Sequence, residues 1–247
     1  MEIAEHIDVL EREGRLLARA AQAAGPDAEV PTCPGWRVRD LLRHMAMVHR
    51  WATAFVGEGR TEYRNGGGLS TLEGDALLDW FREGHAALVE TLRAAPGDVE
   101  CWTFLPAPSP LAFWARRQAN ETTVHRVDAE AALGGELGAS DVEFAVDGIE
   151  EVLFGFHARR SSKVRSAEPR VLRLRATDAG ADAVWTVRIS QDPPVAERGA
   201  VGDADAEAAG DAARLHLALW NRVPFPGLTG DASLAALWRE TSGVVWS

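Results

Sequence analysis

Apolar residues recur at helical spacing through the first half of the chain. Ile3, Ile7, Leu10, Leu17 and Ala21 define a first helix over residues 2–24, ended by Gly25-Pro26. A Pro-rich connection, Pro31-Thr-Cys-Pro-Gly-Trp36, leads into a second helix over 37–55. The polar, Gly-rich stretch 57–68 reads as a loop. A third helix spans 75–95, with Leu77, Leu78, Phe81, Leu88 and Leu92 inward, and a fourth spans 111–133. Four helices of this length predict a bundle.

Gly134-Gly135 and Gly138 mark a boundary, after which the period changes. Val142 to Arg159 reads as one more helix. Val171-Leu-Arg-Leu-Arg-Ala-Thr177 and Ala183-Val-Trp-Thr-Val-Arg-Ile189 alternate apolar and polar residues, as antiparallel strands joined by a Gly/Asp-rich turn do. Helices over 208–220 and 232–241 complete the pattern. The fold class is therefore α+β. A four-helix bundle over 1–136 is followed by a smaller α+β domain with a short antiparallel sheet over 137–247.

The fourth helix carries an anomaly. At roughly 100° per residue, Trp114, Arg117, Glu121, His125, Asp128 and Ala132 share one narrow stripe, while Arg116, Thr123, Arg126 and Glu130 lie opposite. The polar stripe thus points into the bundle, where charge is costly unless paired or bound to metal. On the second helix, His44 shares a stripe with Leu41, Val48, Trp51 and Phe55 and points inward. His49 lies about 140° away on the same wheel and is expected to face elsewhere.

Glu121 and His125, one turn apart, can grip one ion together, and His44 from a facing helix completes a three-ligand site. Imidazole with carboxylate suits Zn²⁺ or a similar borderline ion, and three protein ligands leave a position open for water or substrate. The residues alone admit a second reading: an interior ion-pair network, Arg117 with Glu121 and His125 with Asp128, with His44 a hydrogen-bonded core histidine.

Composition narrows the function class. The 247-residue chain is 46% apolar, enough for a sizeable core, and its formal net charge of −11 disfavours nucleic acid and anionic membranes as partners. The acidic start, with Glu2, Glu5 and Asp8, does not read as a signal peptide, and no apolar run is long enough to span a bilayer. With two cysteines, a disulfide framework is not indicated, and a reducing cytoplasm is the expected location. Cys33 reads as a small apolar residue fixing the entry to the second helix, and Cys101 as core. Trp51, Trp80, Trp114, Trp220 and Trp238 are expected in the core. Gly66-Gly67-Gly68 lacks the companions of a phosphate loop.

Several motifs, taken in order, resemble one family. Val30-Pro-Thr-Cys-Pro-Gly-Trp36 followed by Val38-Arg-Asp-Leu-Leu-Arg-His44 looks like the opening of the mycothiol-dependent maleylpyruvate isomerases. Arg116-Arg117-x-x-x-Glu121-Thr-x-Val-His125-Arg-x-Asp128-Ala-Glu130 resembles that family's fourth-helix motif. Gly210-Asp211-Ala-x-x-Leu215, Leu219-Trp-Asn-Arg222, Gly230-Asp231-Ala-Ser-Leu234 and Trp238 are similar to its C-terminal domain.

The resemblance implies a DinB-like metal-binding bundle in which His44, Glu121 and His125 are the ligands. It implies mycothiol as a thiol cosubstrate, with the sulfur taking the open position on the metal. A metal-bound thiol is deprotonated and nucleophilic. Such a thiolate would serve an isomerase or a thiol S-transferase acting on a small electrophile. Arg222 is the candidate for a substrate carboxylate, since a guanidinium fork suits one; an ion pair is its other reading. Asp128 is expected to orient a ligating histidine and Arg117 to pair with Glu121 or Asp128. A monomer or homodimer is expected. A non-catalytic binding or regulatory protein on the same scaffold is the alternative function.

Overall fold

The structure, a computed structural model, describes residues 1–244 and divides into two units, Met1–Gly138 and a second from Ala139 onward. The first unit holds α1 (Ile3–Ala24), α2 (Val38–Glu58), α3 (Gly74–Ala94) and α4 (Pro110–Ala131). Local chemistry sets their ends. Asp40 accepts from the Arg37 backbone N–H at 3.0 Å at the start of α2, and Gly59, at φ 60°, closes it in a left-handed cap. Ser109 accepts from Ala112 N–H at the start of α4, with Pro110 in the first turn.

α1 packs along α4, and α2 along α3. The core between them includes Leu17, Leu41, Met45, Leu77 and Phe81. Helix α4 is buried on every side, not along one stripe. Thr123 and Arg126, opposite the Arg117–Asp128 stripe, are as enclosed as the stripe itself. Arg126 is satisfied there by Glu13 at 2.8 Å, Glu130 at 2.7 Å and the Gly138 carbonyl at 2.9 Å. His49 corrects a second expectation: it is fully buried. Helix α2 has neighbours on two sides, and His49 sits between Phe81 and His85 of α3 and Thr122 of α4, whose hydroxyl is 2.9 Å from Nε2. Gly14 on α1 makes room for the His85 ring, which reaches the Leu10 carbonyl at 3.0 Å. Among the expected core tryptophans, Trp114 and Trp238 are fully buried, whereas Trp51, Trp80 and Trp220 are partly exposed.

The second unit begins with α5 (Val142–Glu150), which widens into a π-helical turn over Glu151–Phe156 and ends short of Arg159. The expected antiparallel pair is present as β1 (Arg170–Ala176) and β2 (Val184–Ile189). It forms part of a five-stranded mixed sheet with β3 (Val195–Arg198), β4 (Ala206–Gly210) and β5 (Thr229–Gly230), in the order β3-β2-β1-β4-β5. β4 runs parallel to β1. The helix expected from 208 therefore starts later, as α6 (Ala212–Leu219), and α7 (Ser233–Thr241) follows. The Ala/Glu composition of β4 favours a helix, but pairing with β1 overrides it. Leu172, Leu174, Trp185, Leu215, Leu219 and Trp238 build this unit's core. Among the described residues no helix is long and apolar enough to cross a membrane.

One buried histidine in this unit gives a stability test. His157 packs on the Trp238 ring at 4.8 Å, and burial, with a smaller contribution from Arg159, lowers its pKa to about 4. The unfolded chain binds this proton near pH 6.5, so stability present above that pH is lost as pH falls toward 4. The depression is equivalent to about 3 kcal/mol at about 1.36 kcal/mol per unit. His157→Gln should flatten that part of the stability curve, measured by urea unfolding at pH 4.5 and 7.5. Equal pH dependence in the two proteins would refute the assignment.

Candidate metal centre

Glu121 and His125 lie one turn apart on α4, and His44 on α2 faces them. The structure brings the three together. His44 Nε2 is 3.4 Å and His125 Nε2 3.5 Å from the same oxygen, Glu121 Oε1. One ligand atom from each lies within 4.8 Å of the others. The two imidazole centroids are 5.0 Å apart. Glu121 and His125 are 7% and 8% exposed, while His44 is half-buried. Trp36 flanks the cluster, edge-on to His44 at 5.2 Å and stacked with His125 at 6.3 Å.

Both expected ion pairs are also present. Arg117 donates to Glu121 Oε2, and His125 Nδ1 lies 2.8 Å from Asp128 Oδ2. Glu121 Oε1 is left facing the two Nε2 atoms. A carboxylate can only accept, so His125 Nδ1 is the donor to Asp128, and in the neutral ring Nε2 is then an acceptor. An acceptor aimed at Glu121 Oε1 needs a cation or a proton between them. Burial opposes the charge on Glu121, but Arg117 and the adjacent His125 and His44 hold its pKa well below the usual carboxylate range. Burial likewise opposes protonation of His125, yet Asp128 and Glu121 outweigh it and raise its pKa. The donor set thus offers two imidazole nitrogens and one anionic oxygen to a single point, and it fits a divalent ion of borderline softness.

Asp128 is more engaged than its sequence position indicated. Besides His125, it accepts from Thr32 Oγ1 at 2.5 Å and from Cys33 Sγ at 3.3 Å. Cys33 therefore does more than fill space at the entry to α2. Cys33, His125 and Asp128 form a second close group sharing His125 with the first, but here the carboxylate already accepts from all three neighbours. Thr32 has no signal in the sequence beyond its place in the Pro-rich segment before α2. Arg222 belongs to the other unit. It follows α6, after Asn221 in the left-handed region at φ 62°, and donates from Nη1 to the Trp220 carbonyl at 2.8 Å.

Comparison with known proteins agrees with this architecture. Residues 8–130 match the family model of the mycothiol maleylpyruvate isomerase N-terminal domain, and residues 143–237 match the corresponding MDMPI C-terminal domain. A crystal structure of mycothiol-dependent maleylpyruvate isomerase covers 92% of this chain and 96% of its own at a TM-score of 0.56 and 16% identity. That of a histidine-to-alanine mutant has the same coverage and identity with a TM-score of 0.59. At this identity the likeness speaks for the fold. No curated protein sequence matches significantly.

Proposed function

The chain belongs to the mycothiol maleylpyruvate isomerase family, and from that premise we propose a metal- and mycothiol-dependent cytoplasmic enzyme, an isomerase or thiol S-transferase acting on a small electrophile. His44, Glu121 and His125 would hold one divalent ion, with Zn²⁺ the best match to the donors. The observation that carries this reading is the convergence of two Nε2 atoms on an oxygen of a carboxylate kept ionised. An ion held there would supply a Lewis acid able to lower the pKa of a thiol cosubstrate.

The protein's own groups prepare that point. Arg117 fixes Glu121 through Oε2 and leaves Oε1 for the ion. Asp128 holds the proton on His125 Nδ1 and so aims the Nε2 lone pair at the ion. Trp36 packs against both imidazoles. Arg222 would bind a carboxylate of the electrophile through its guanidinium fork.

Metal content decides the matter first, measured by mass spectrometry on protein purified without a metal-affinity tag. The wild type should carry about one equivalent, and the triple variant His44→Ala, Glu121→Ala, His125→Ala none. Thiol-transfer assays with mycothiol and a panel of electrophiles follow. There Arg222→Ala should raise KM by about 10-fold or more for carboxylate-bearing electrophiles and leave metal content unchanged. Substoichiometric metal in both proteins, with stability indifferent to chelator, would reduce the cluster to an ion-pair network.

A further inference from the structure

We propose that Thr32 and Cys33 are positioning residues for this site, acting through Asp128 on the orientation and tautomer of His125. The inference rests on the metal reading above and extends it to a segment outside the two helices that carry the ligands. Asp128 is completely buried, and three donors meet on its carboxylate. Thr32 Oγ1 occupies Oδ1 at 2.5 Å, while Cys33 Sγ at 3.3 Å and His125 Nδ1 at 2.8 Å share Oδ2. A carboxylate held by one partner can rotate about its terminal bond; one held at both oxygens cannot. The Thr32 hydroxyl pins Oδ1, which fixes where Oδ2 lies and therefore the direction in which His125 donates. That donation leaves Nε2 as the acceptor on the side of Glu121 and His44, at 3.5 Å from Glu121 Oε1.

The chain geometry makes the arrangement specific. The segment 31–36 forms tight turns before α2, with Cys33 N–H donating to the Val30 carbonyl at 2.9 Å and Trp36 N–H to the Cys33 carbonyl at 3.0 Å. The same short segment thus places two donors on Asp128 and the Trp36 ring against both histidines. Cys33 here serves as a weak S–H donor next to an anion, and the pattern asks of it a donor, not a sulfur. Partners behind a ligating histidine fix its tautomer and commonly tune affinity about 10- to 100-fold.

The test uses the full-length protein and Zn²⁺ as the probe, with affinity read by competition against a chromophoric chelator. Thr32→Val combined with Cys33→Ala should weaken Zn²⁺ by about 10-fold or more. Thr32→Ser with Cys33→Ser, which restores both donors, should return it to within about 3-fold of wild type by the same reasoning. ¹⁵N-histidine NMR of the metal-free protein, at a pH where the ring is neutral, should show His125 as a single Nδ1–H tautomer in the wild type. It should show a mixture in the Val/Ala variant. Unchanged affinity and tautomer alongside a lowered Tm would reduce the contacts to a clamp between loop and helix and overturn the proposal. So would a Ser/Ser variant as weak as Val/Ala, since the sulfur itself would then matter. If the wild type takes up no Zn²⁺, the metal reading fails, and the tautomer comparison on metal-free protein still decides this one.

Discussion

Glu121→Ala is expected to destabilise the metal-free protein by about 3–5 kcal/mol, the cost of removing one partner from a buried ion pair. Arg117 is 2% exposed and its guanidinium lies against Glu121 Oε2. Without the carboxylate, the buried Arg117 guanidinium loses the anion it lies against, at a point already facing two imidazoles. The large effect therefore comes from the arginine left behind and not from the intrinsic strength of the pair. This is checked by replacing both partners. Arg117→Met with Glu121→Leu removes both charges at similar volume and should recover most of the loss, to within about 1 kcal/mol of wild type. It should not bind metal. Urea unfolding of chelator-treated samples gives both numbers without the stabilisation that a bound ion adds. A double variant as unstable as the single would show that the carboxylate is needed for something other than neutralising Arg117.

The inward position of Glu121 can be read from the sequence, whereas its surroundings cannot. Glu121, His125 and His44 each lie on a stripe shared with apolar residues, so local period alone turns them inward. A helical wheel, however, grants each helix one buried face. α4 is enclosed on all sides and α2 has neighbours on two, so the rule that turns His44, Glu121 and His125 inward misplaces Thr123, Arg126 and His49. The Thr32 and Cys33 bonds to Asp128 join residues 96 and 95 positions apart, which no local pattern encodes. β4 illustrates the converse. Ala206–Gly210 has the composition of a helix and becomes a strand because β1 offers a partner in register, Leu172 opposite Ala206. Elements set by their own period were legible; those set by a partner distant in sequence were not.

His44→Ala should separate function from fold where Glu121→Ala merges them. His44 is half-buried, and its neighbours are the Trp36 ring at 5.2 Å, the His125 ring at 5.0 Å and Glu121 Oε1 at 3.4 Å. Truncating it leaves Glu121 paired with Arg117 and His125 bonded to Asp128, so no buried charge is orphaned. The metal-free stability should change by about 1 kcal/mol or less, the ordinary range for a partly exposed side chain. Metal affinity is expected to fall by at least about 100-fold, since even a partner behind a ligand can cost that much. Thiol-transfer activity should fall to background with it, and saturating Zn²⁺ should restore only a part. Urea unfolding, chelator competition and thiol-consumption assays on one preparation give the three values. A variant that kept full activity would remove His44 from the ligand set. One that lost activity only in proportion to lost folded protein would make His44 a packing residue. The expected combination, a stable protein with no metal and no activity, requires a half-buried histidine beside the cluster whose main contribution is its Nε2 lone pair.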